Sequence, residues 1–234
     1  IPAPLAHLEG AAGDPLAHHR RGELTAAMRS LGVVHHLLGA SSGDAAATYR
    51  DSGMAGSAAA EHPRAWVGAD LEEAAAAIRA VIDEVRPDVV VTYDATGGYG
   101  HPDHVRTHDA TVRAVAGTAV RPVLYVTLTP QSWVLQDREW LAEHVPGDRG
   151  LIVPGPDDPF ASSVVPDAVV THAVLDPSVV AAQSQALRCH ETQVVVGDGW
   201  YALSNHVVSR LAGREGYGRL DPLTGQLPEQ EESA

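Results

Sequence analysis

The sequence predicts an α/β protein: a mostly parallel sheet flanked by helices, with a smaller C-terminal α+β part. "DVVVTY" at 88–93 is an unbroken β-branched run, helix-spaced apolar stripes lie on either side of it, and a second strand-like run, "PVLYVTLT", follows the next helix. A strand–helix–strand series of this length requires a right-handed crossover and makes its strands parallel. Sheets of this kind bind ligands beyond the carboxyl ends of their strands.

In chain order, "GELTAAMRSLGV" spaces Leu24, Met28 and Leu31 as a helix, and Gly32 stands where a helix end favours glycine. "VVHHLLG" after it predicts a short strand. Residues 40–63, rich in Ala, Gly and Ser, predict a loop with a polar insert at Tyr49, Arg50, Asp51 and Ser52. From Leu71 to Arg86, Leu71, Ala75, Ile78, Ile82 and Val85 form one apolar stripe, while Asp70, Glu72 and Glu73 suit the positive end of a helix dipole. Pro87 ends that helix. "DVVVTY" then reads as a central strand covered on both faces, followed by a glycine loop, a helix from about Pro102 to Val115, and "PVLYVTLT".

Beyond Pro130, "DREWLAEHV" and "PSVVAAQSQALRCHE" predict helices, "DAVVTHAVL" and "TQVVVG" predict strands, and "QLPEQEESA" predicts a disordered tail. The expected organisation is an α/β core over 1–130, a part over 131–225 that completes the pocket, and a tail over 226–234.

With 234 residues and 44% apolar content the chain can bury a substantial core. Sixteen basic against thirty acidic residues give a formal charge of -14, which repels phosphate backbones and anionic membrane surfaces, so neither nucleic acid nor membrane is an expected partner. The single cysteine, Cys189, allows no internal disulfide and reads as core filler in a cytoplasmic protein. No apolar run reaches the length of about 18 residues that a spanning helix needs. The opening "IPAPLAHLEGAAGDP" has no basic start or apolar stretch of a secretory leader, and it lacks an initiator Met and reads like the middle of a loop. The expectation is that sequence has been removed upstream.

The densest chemistry lies in "GGYGHPDHVRTH", residues 97–108. Gly97, Gly98 and Gly100 permit a tight turn after Asp94. Pro102 keeps His101 out of helical geometry, so His101 points from the loop, whereas His104 lies in the first helical turn and His108 one turn further on the same face. Imidazoles gathered at a strand end suit a zinc site or general acid–base work, with a capped, solvated helix start as the alternative. Asp103 could orient a histidine or simply favour the helix N-terminus, and Tyr99 could donate to a developing oxyanion or simply pack.

Taken together, "VVVTYDATGGYGHPDHVRTHDATVRAV", "YRDSGMAG", "RGELTAAMRSLGV" and "TQVVVG" followed by "ALSN" closely resemble the LmbE-like family of zinc-dependent N-acetylglucosaminyl deacetylases, and within it the mycothiol-biosynthesis branch of actinobacteria. The likeness covers residues 17–115 and returns around 188–206. It implies a Rossmann-like fold and a cytoplasmic zinc enzyme, with iron as an alternative metal, that hydrolyses the acetamide of a GlcNAc-inositol pseudodisaccharide to acetate and the free amine. By resemblance, His104 is a zinc ligand, His101 stabilises the oxyanion and protonates the leaving amine, Asp103 tunes His101, and Tyr99 helps polarise the carbonyl. Arg20, Asp51 and Asn205 hold the sugar and inositol hydroxyls.

One departure stands out. The family's opening strand ends in a His-Pro-Asp-Asp-Glu motif that supplies two ligands and the general base, and the only His-Pro pairs here are at His62 and His101. The resemblance therefore implies a chain beginning after the family's first strand and helix, with one of three ligands, no general base and little or no activity of its own. Three alternatives stay open: a mycothiol S-conjugate amidase, a natural-product sugar deacetylase, and a non-catalytic sugar-binding remnant.

Overall fold

A computed structural model of the protein describes residues 1–8, 15–38, 49–147 and 150–227. The helices are α1 (Pro15–Leu31), α2 (Leu71–Val85), the single glycine turn α3 (Gly97–Gly100), α4 (Pro102–Gly117), α5 (Gln131–His144) and α6 (Val180–Arg188). The strands are β1 (Val89–Thr92), β2 (Val123–Pro130), β3 (Val164–Val165), β4 (His172–Leu175), β5 (Val195–Val196), β6 (Trp200–Ala202), β7 (Val208–Arg210) and β8 (Arg214–Leu220). Part of the 40–63 loop, 40–48, and the predicted tail from 228 onward lie outside the described residues. Among the described residues no helix is long and apolar enough to cross a membrane.

The described residues group into two compact units that interleave along the chain, those within 1–36, 133–158 and 174–214 in the first and those within 37–132, 159–173 and 215–227 in the second. The second unit holds the predicted strand–helix–strand series. β1 and β2 are parallel with Val89 opposite Val123, and α4 is the crossover between them. The principal sheet runs β1-β2-β8-β4, with β3 pairing the end of β2 in parallel and β8 pairing β2 antiparallel. It is thus a mixed sheet flanked by helices. Ala75 and Ile82 of α2, Ala114 and Val115 of α4, and Leu124, Val126 and Leu128 of β2 form its core. Asp70 caps α2 by accepting from the Glu73 N–H, and Arg86 ends it in left-handed conformation just before Pro87.

The first unit carries the smaller antiparallel sheet β5-β6-β7, packed as Trp200, Ala202 and Val208 against Leu141 and Val145. Here α1 ends as its sequence predicts: Gly32 takes φ +68, its N–H bonds to Arg29 O, and the Val33 N–H bonds to Met28 O. Cys189 is half-buried rather than core, its thiol directed at Gln185 O.

Three strand expectations are corrected. Val33–Leu37 form no strand: the chain leaves the helix cap unpaired, with Val34 99% exposed. "DVVVTY" is not central, because among the described residues β1 pairs only β2, so Val89 and Val91 are left about half exposed. "DAVVTHAVL" begins as a short 3-10 turn at Asp167–Val169 and becomes strand only at β4, since Asp167 accepts from the Ser132 N–H and is drawn into the turn. β8, "REGYGRL", is a strand that the sequence reading did not anticipate, its glycines breaking the expected alternation; a Cβ on Gly216 would lie 2.6 Å from Leu128 O.

Candidate active site

The site starts at the carboxyl end of β1. Asp94 is buried and organises the turn that follows: it accepts from the Thr96 hydroxyl, from the Thr96 N–H at 2.7 Å and from the Gly98 N–H at 2.9 Å, while its carbonyl accepts from the Gly97 N–H at 2.9 Å. Gly97 and Gly98 take φ +69 and +77, and a Cβ on Gly97 would lie 2.8 Å from Val105 N. Glycine is therefore what lets the turn press against the start of α4. The Ser163 N–H and the Ser162 hydroxyl donate to Gly98 O from the other side, at 2.9 and 3.1 Å.

His101 caps α4 in extended conformation, with Pro102 in the first helical position. Its Nδ1 accepts from the Asp103 N–H at 3.2 Å, so the neutral ring carries its proton on Nε2. His104 is wired the opposite way. Its Nδ1 lies 3.2 Å from Gly97 O, which can only accept, so Nδ1 holds the proton and Nε2 presents a lone pair. Burial pushes the His104 pKa below the ordinary imidazole value, and neighbouring His101 acts in the same direction, against the Gly97 hydrogen bond and the charges of Asp103 and Asp51.

Aromatic faces enclose the pair. Tyr93 stacks flat on His104 with centroids 4.0 Å apart, and the two imidazoles stack at 4.8 Å. Tyr99 stands edge-on to both rings and is 53% exposed. Partial burial, then the charge of Asp51, raises its phenol pKa, which keeps the O–H in place as a donor.

"YRDSGMAG" is hydrogen-bonded to this turn. Ser52 is fully buried: its N–H donates to Asp103 Oδ2 at 2.9 Å, and its Oγ accepts from the Val67 N–H at 3.0 Å. Asp103 Oδ1 is buried with no hydrogen-bond partner. Trp66 Nε1 donates to Asp103 O and to Thr107 Oγ1, both at 3.1 Å, fixing the first turn of α4.

Of the residues singled out in the sequence, Tyr99, His101, Asp103 and His104 meet in one cluster, with Asp51 near enough for its charge to act on Tyr99 and His104. The Asp103 carboxylate is engaged by Ser52, and its link to His101 runs through its backbone N–H. Arg20 and Asn205 belong to the first unit, where Arg20 Nε donates to Thr192 Oγ1 at 3.3 Å and Asn205 Oδ1 accepts from the Val207 N–H at 3.1 Å. His108 is buried with Nδ1 2.8 Å from Tyr93 O, an anchor between α4 and the strand end. Tyr93 was missed by sequence reasoning; its place as the last residue of the "DVVVTY" run was the signal.

A neutral, partly buried imidazole oriented by a carbonyl suits a metal ligand, and His104 Nε2 meets that description. Among the described residues, however, His104 joins no group of three converging ligand atoms; the one such group is His19, Glu23 and Glu191. The ligand set at His104 is incomplete among the described residues.

Imidazoles and a phenol are thus gathered beyond the carboxyl end of a parallel strand, where α/β sheets bind their ligands. The model of the GlcNAc-PI de-N-acetylase family matches residues 5–115. Proteins named 1D-myo-inositol 2-acetamido-2-deoxy-alpha-D-glucopyranoside deacetylase are similar over most of the chain. The one from Streptomyces avermitilis is 40% identical over 93% of this chain and 76% of its own length, and that from Actinosynnema mirum 40% identical over 93% and 75%. The one from Kineococcus radiotolerans is 45% identical over 84% and 57%. The chain belongs to the GlcNAc-PI de-N-acetylase family.

Proposed function

We propose that this protein is a metal-dependent N-deacetylase that hydrolyses the acetamide of 1D-myo-inositol 2-acetamido-2-deoxy-alpha-D-glucopyranoside to the free amine and acetate, in the cytoplasm and in the service of mycothiol biosynthesis. The relatives' names support the substrate. The observation that carries the chemistry is the opposite wiring of two adjacent imidazoles: His101 with a proton on Nε2, His104 with a lone pair there.

Zinc, or iron in its place, held in part by His104 Nε2, would polarise the acetamide oxygen and lower the pKa of water. His101 Nε2–H donates to the oxygen on which negative charge develops; it delivers a proton to nitrogen as the C–N bond breaks only from the imidazolium form, in which Nδ1 has taken up a proton and given up its bond from the Asp103 N–H. The Tyr99 O–H adds a second donor, and its flanking glycines let it move. Asp51 accepts from substrate hydroxyls, while Arg20 and Asn205 are proposed as further substrate-binding residues on the family resemblance alone. The 234 residues contain no His-Pro-Asp-Asp-Glu stretch. With His104 as the single ligand from this site and no assigned base, turnover by the chain as it stands is slow or absent.

Binding therefore gives the cleaner test. Saturation-transfer NMR of the pseudodisaccharide with the zinc-supplemented chain should show transfer to the sugar, weakened at least tenfold in affinity by Asp51→Ala. A chain that ignores this sugar but binds a mycothiol S-conjugate would replace the reading with the amidase one. A chain that binds neither would remove it.

A further inference from the structure

In the first unit, ligating atoms converge at a place that uses none of the proposed catalytic or substrate residues. His19 and Glu23 stand one turn apart on the same face of α1. Glu191 lies just beyond α6, on the turn whose next residue, Thr192, holds Glu23: the Thr192 N–H donates to Glu23 Oε1 and its hydroxyl to Oε2, both at 2.8 Å. His19 Nε2 is 3.4 Å from Glu191 Oε1 and 3.7 Å from Glu23 Oε1, and the three ligand atoms all lie within 4.8 Å of one another.

We propose that His19, Glu23 and Glu191 bind a divalent transition-metal ion that staples α1 to the turn after α6. One imidazole nitrogen and two carboxylate oxygens suit Zn2+ and its first-row neighbours. Metal–ligand bonds of about 2.0–2.2 Å set adjacent ligand atoms about 3.2–3.6 Å apart, so the observed gaps close on a metal with small side-chain movements. Glu23 is already immobilised, with its side chain 4% exposed, whereas His19 and Glu191 are more open at 30% and 60% and give an ion access from solvent. The guanidinium of Arg20 is directed at Thr192 Oγ1 and leaves the carboxylates to the site.

The competing arrangement is a protonated His19 shared between the two carboxylates. A charge-assisted hydrogen bond of that kind is about 2.7–2.9 Å long. Both gaps here exceed it, and His19 Nε2 is buried without any hydrogen-bond partner. His19 Nε2 therefore faces two carboxylate oxygens at 3.4 and 3.7 Å with its own hydrogen-bonding capacity unused, a place that a cation drawn between the three would complete.

The test is calorimetric titration with Zn2+, repeated by absorption with Co2+, on the full chain and on its His19→Ala, Glu191→Gln and His104→Ala variants, each checked for folding by circular dichroism. The proposal expects saturable binding that His19→Ala and Glu191→Gln each weaken at least tenfold and that His104→Ala leaves in place, with a metal-dependent rise in Tm reversed by EDTA. Glu191→Gln keeps shape at an exposed position and carries the test if His19→Ala perturbs the fold. No binding, binding indifferent to both substitutions, or binding lost only in His104→Ala would overturn it. Because the readout is metal rather than turnover, its failure leaves the deacetylase reading untouched.

Discussion

Glu23 on α1 and Asp103 on α4 both accept from the backbone N–H of a remote segment, Thr192 at 169 residues' separation and Ser52 at 51. In the first unit both carboxylate oxygens of Glu23 are engaged by Thr192. In the second, only one oxygen of Asp103 is engaged, and the other is buried without a hydrogen-bond partner. The doubly bonded Glu23 ties α1 to the turn after α6 with or without an ion beside it. A half-satisfied carboxylate costs stability and persists where a ligand or a water can complete it.

This contrast orders the expected effects of substitution. Glu23→Ala strands the buried N–H and hydroxyl of Thr192 and should cost about 3–5 kcal/mol by urea unfolding. Gly97→Ala places a Cβ 2.8 Å from Val105 N at φ +69 and should cost about 2–4 kcal/mol, with the His104 ring displaced from Tyr93. Asp103→Ala forfeits a single hydrogen bond from the Ser52 N–H and should cost only about 1–2 kcal/mol, while weakening sugar binding more than Glu23→Gln does. If Asp103→Ala destabilises as much as Glu23→Ala, the contrast fails. At the bottom lies the Glu72–Arg113 pair, 2.6 Å apart with both side chains about 60% exposed; Glu72→Gln should change stability by less than about 1 kcal/mol, because water screens the pair.

What the sequence made legible was local. Gly32 ending α1, Asp70 starting α2, the α4 crossover and the capping position of His101 each follow from residues within a turn of the feature. What it hid was set by distant partners. Among the described residues "VVHHLLG" has strand composition but finds no strand to pair with, "DVVVTY" has central composition but pairs on one side alone, and the antiparallel entry of β8 beside β2 depends on glycines whose role appears only against Leu128. The same division holds at the site. The His101–Asp103–His104 cluster is contiguous and readable, whereas Ser52 on Asp103, Tyr93 under His104 and Thr192 on Glu23 are products of the fold.

His101 and His104, three residues apart, present the same atom, Nε2, to a ligand in opposite states, protonated on His101 and bare on His104. Long-range 1H–15N correlation of the histidine rings at neutral pH measures this directly, before and after addition of Zn2+. The account predicts a protonated Nε2 on His101 and a protonated Nδ1 on His104, with Zn2+ shifting His104 Nε2. The reverse tautomers, or a His104 Nε2 indifferent to Zn2+, would contradict it.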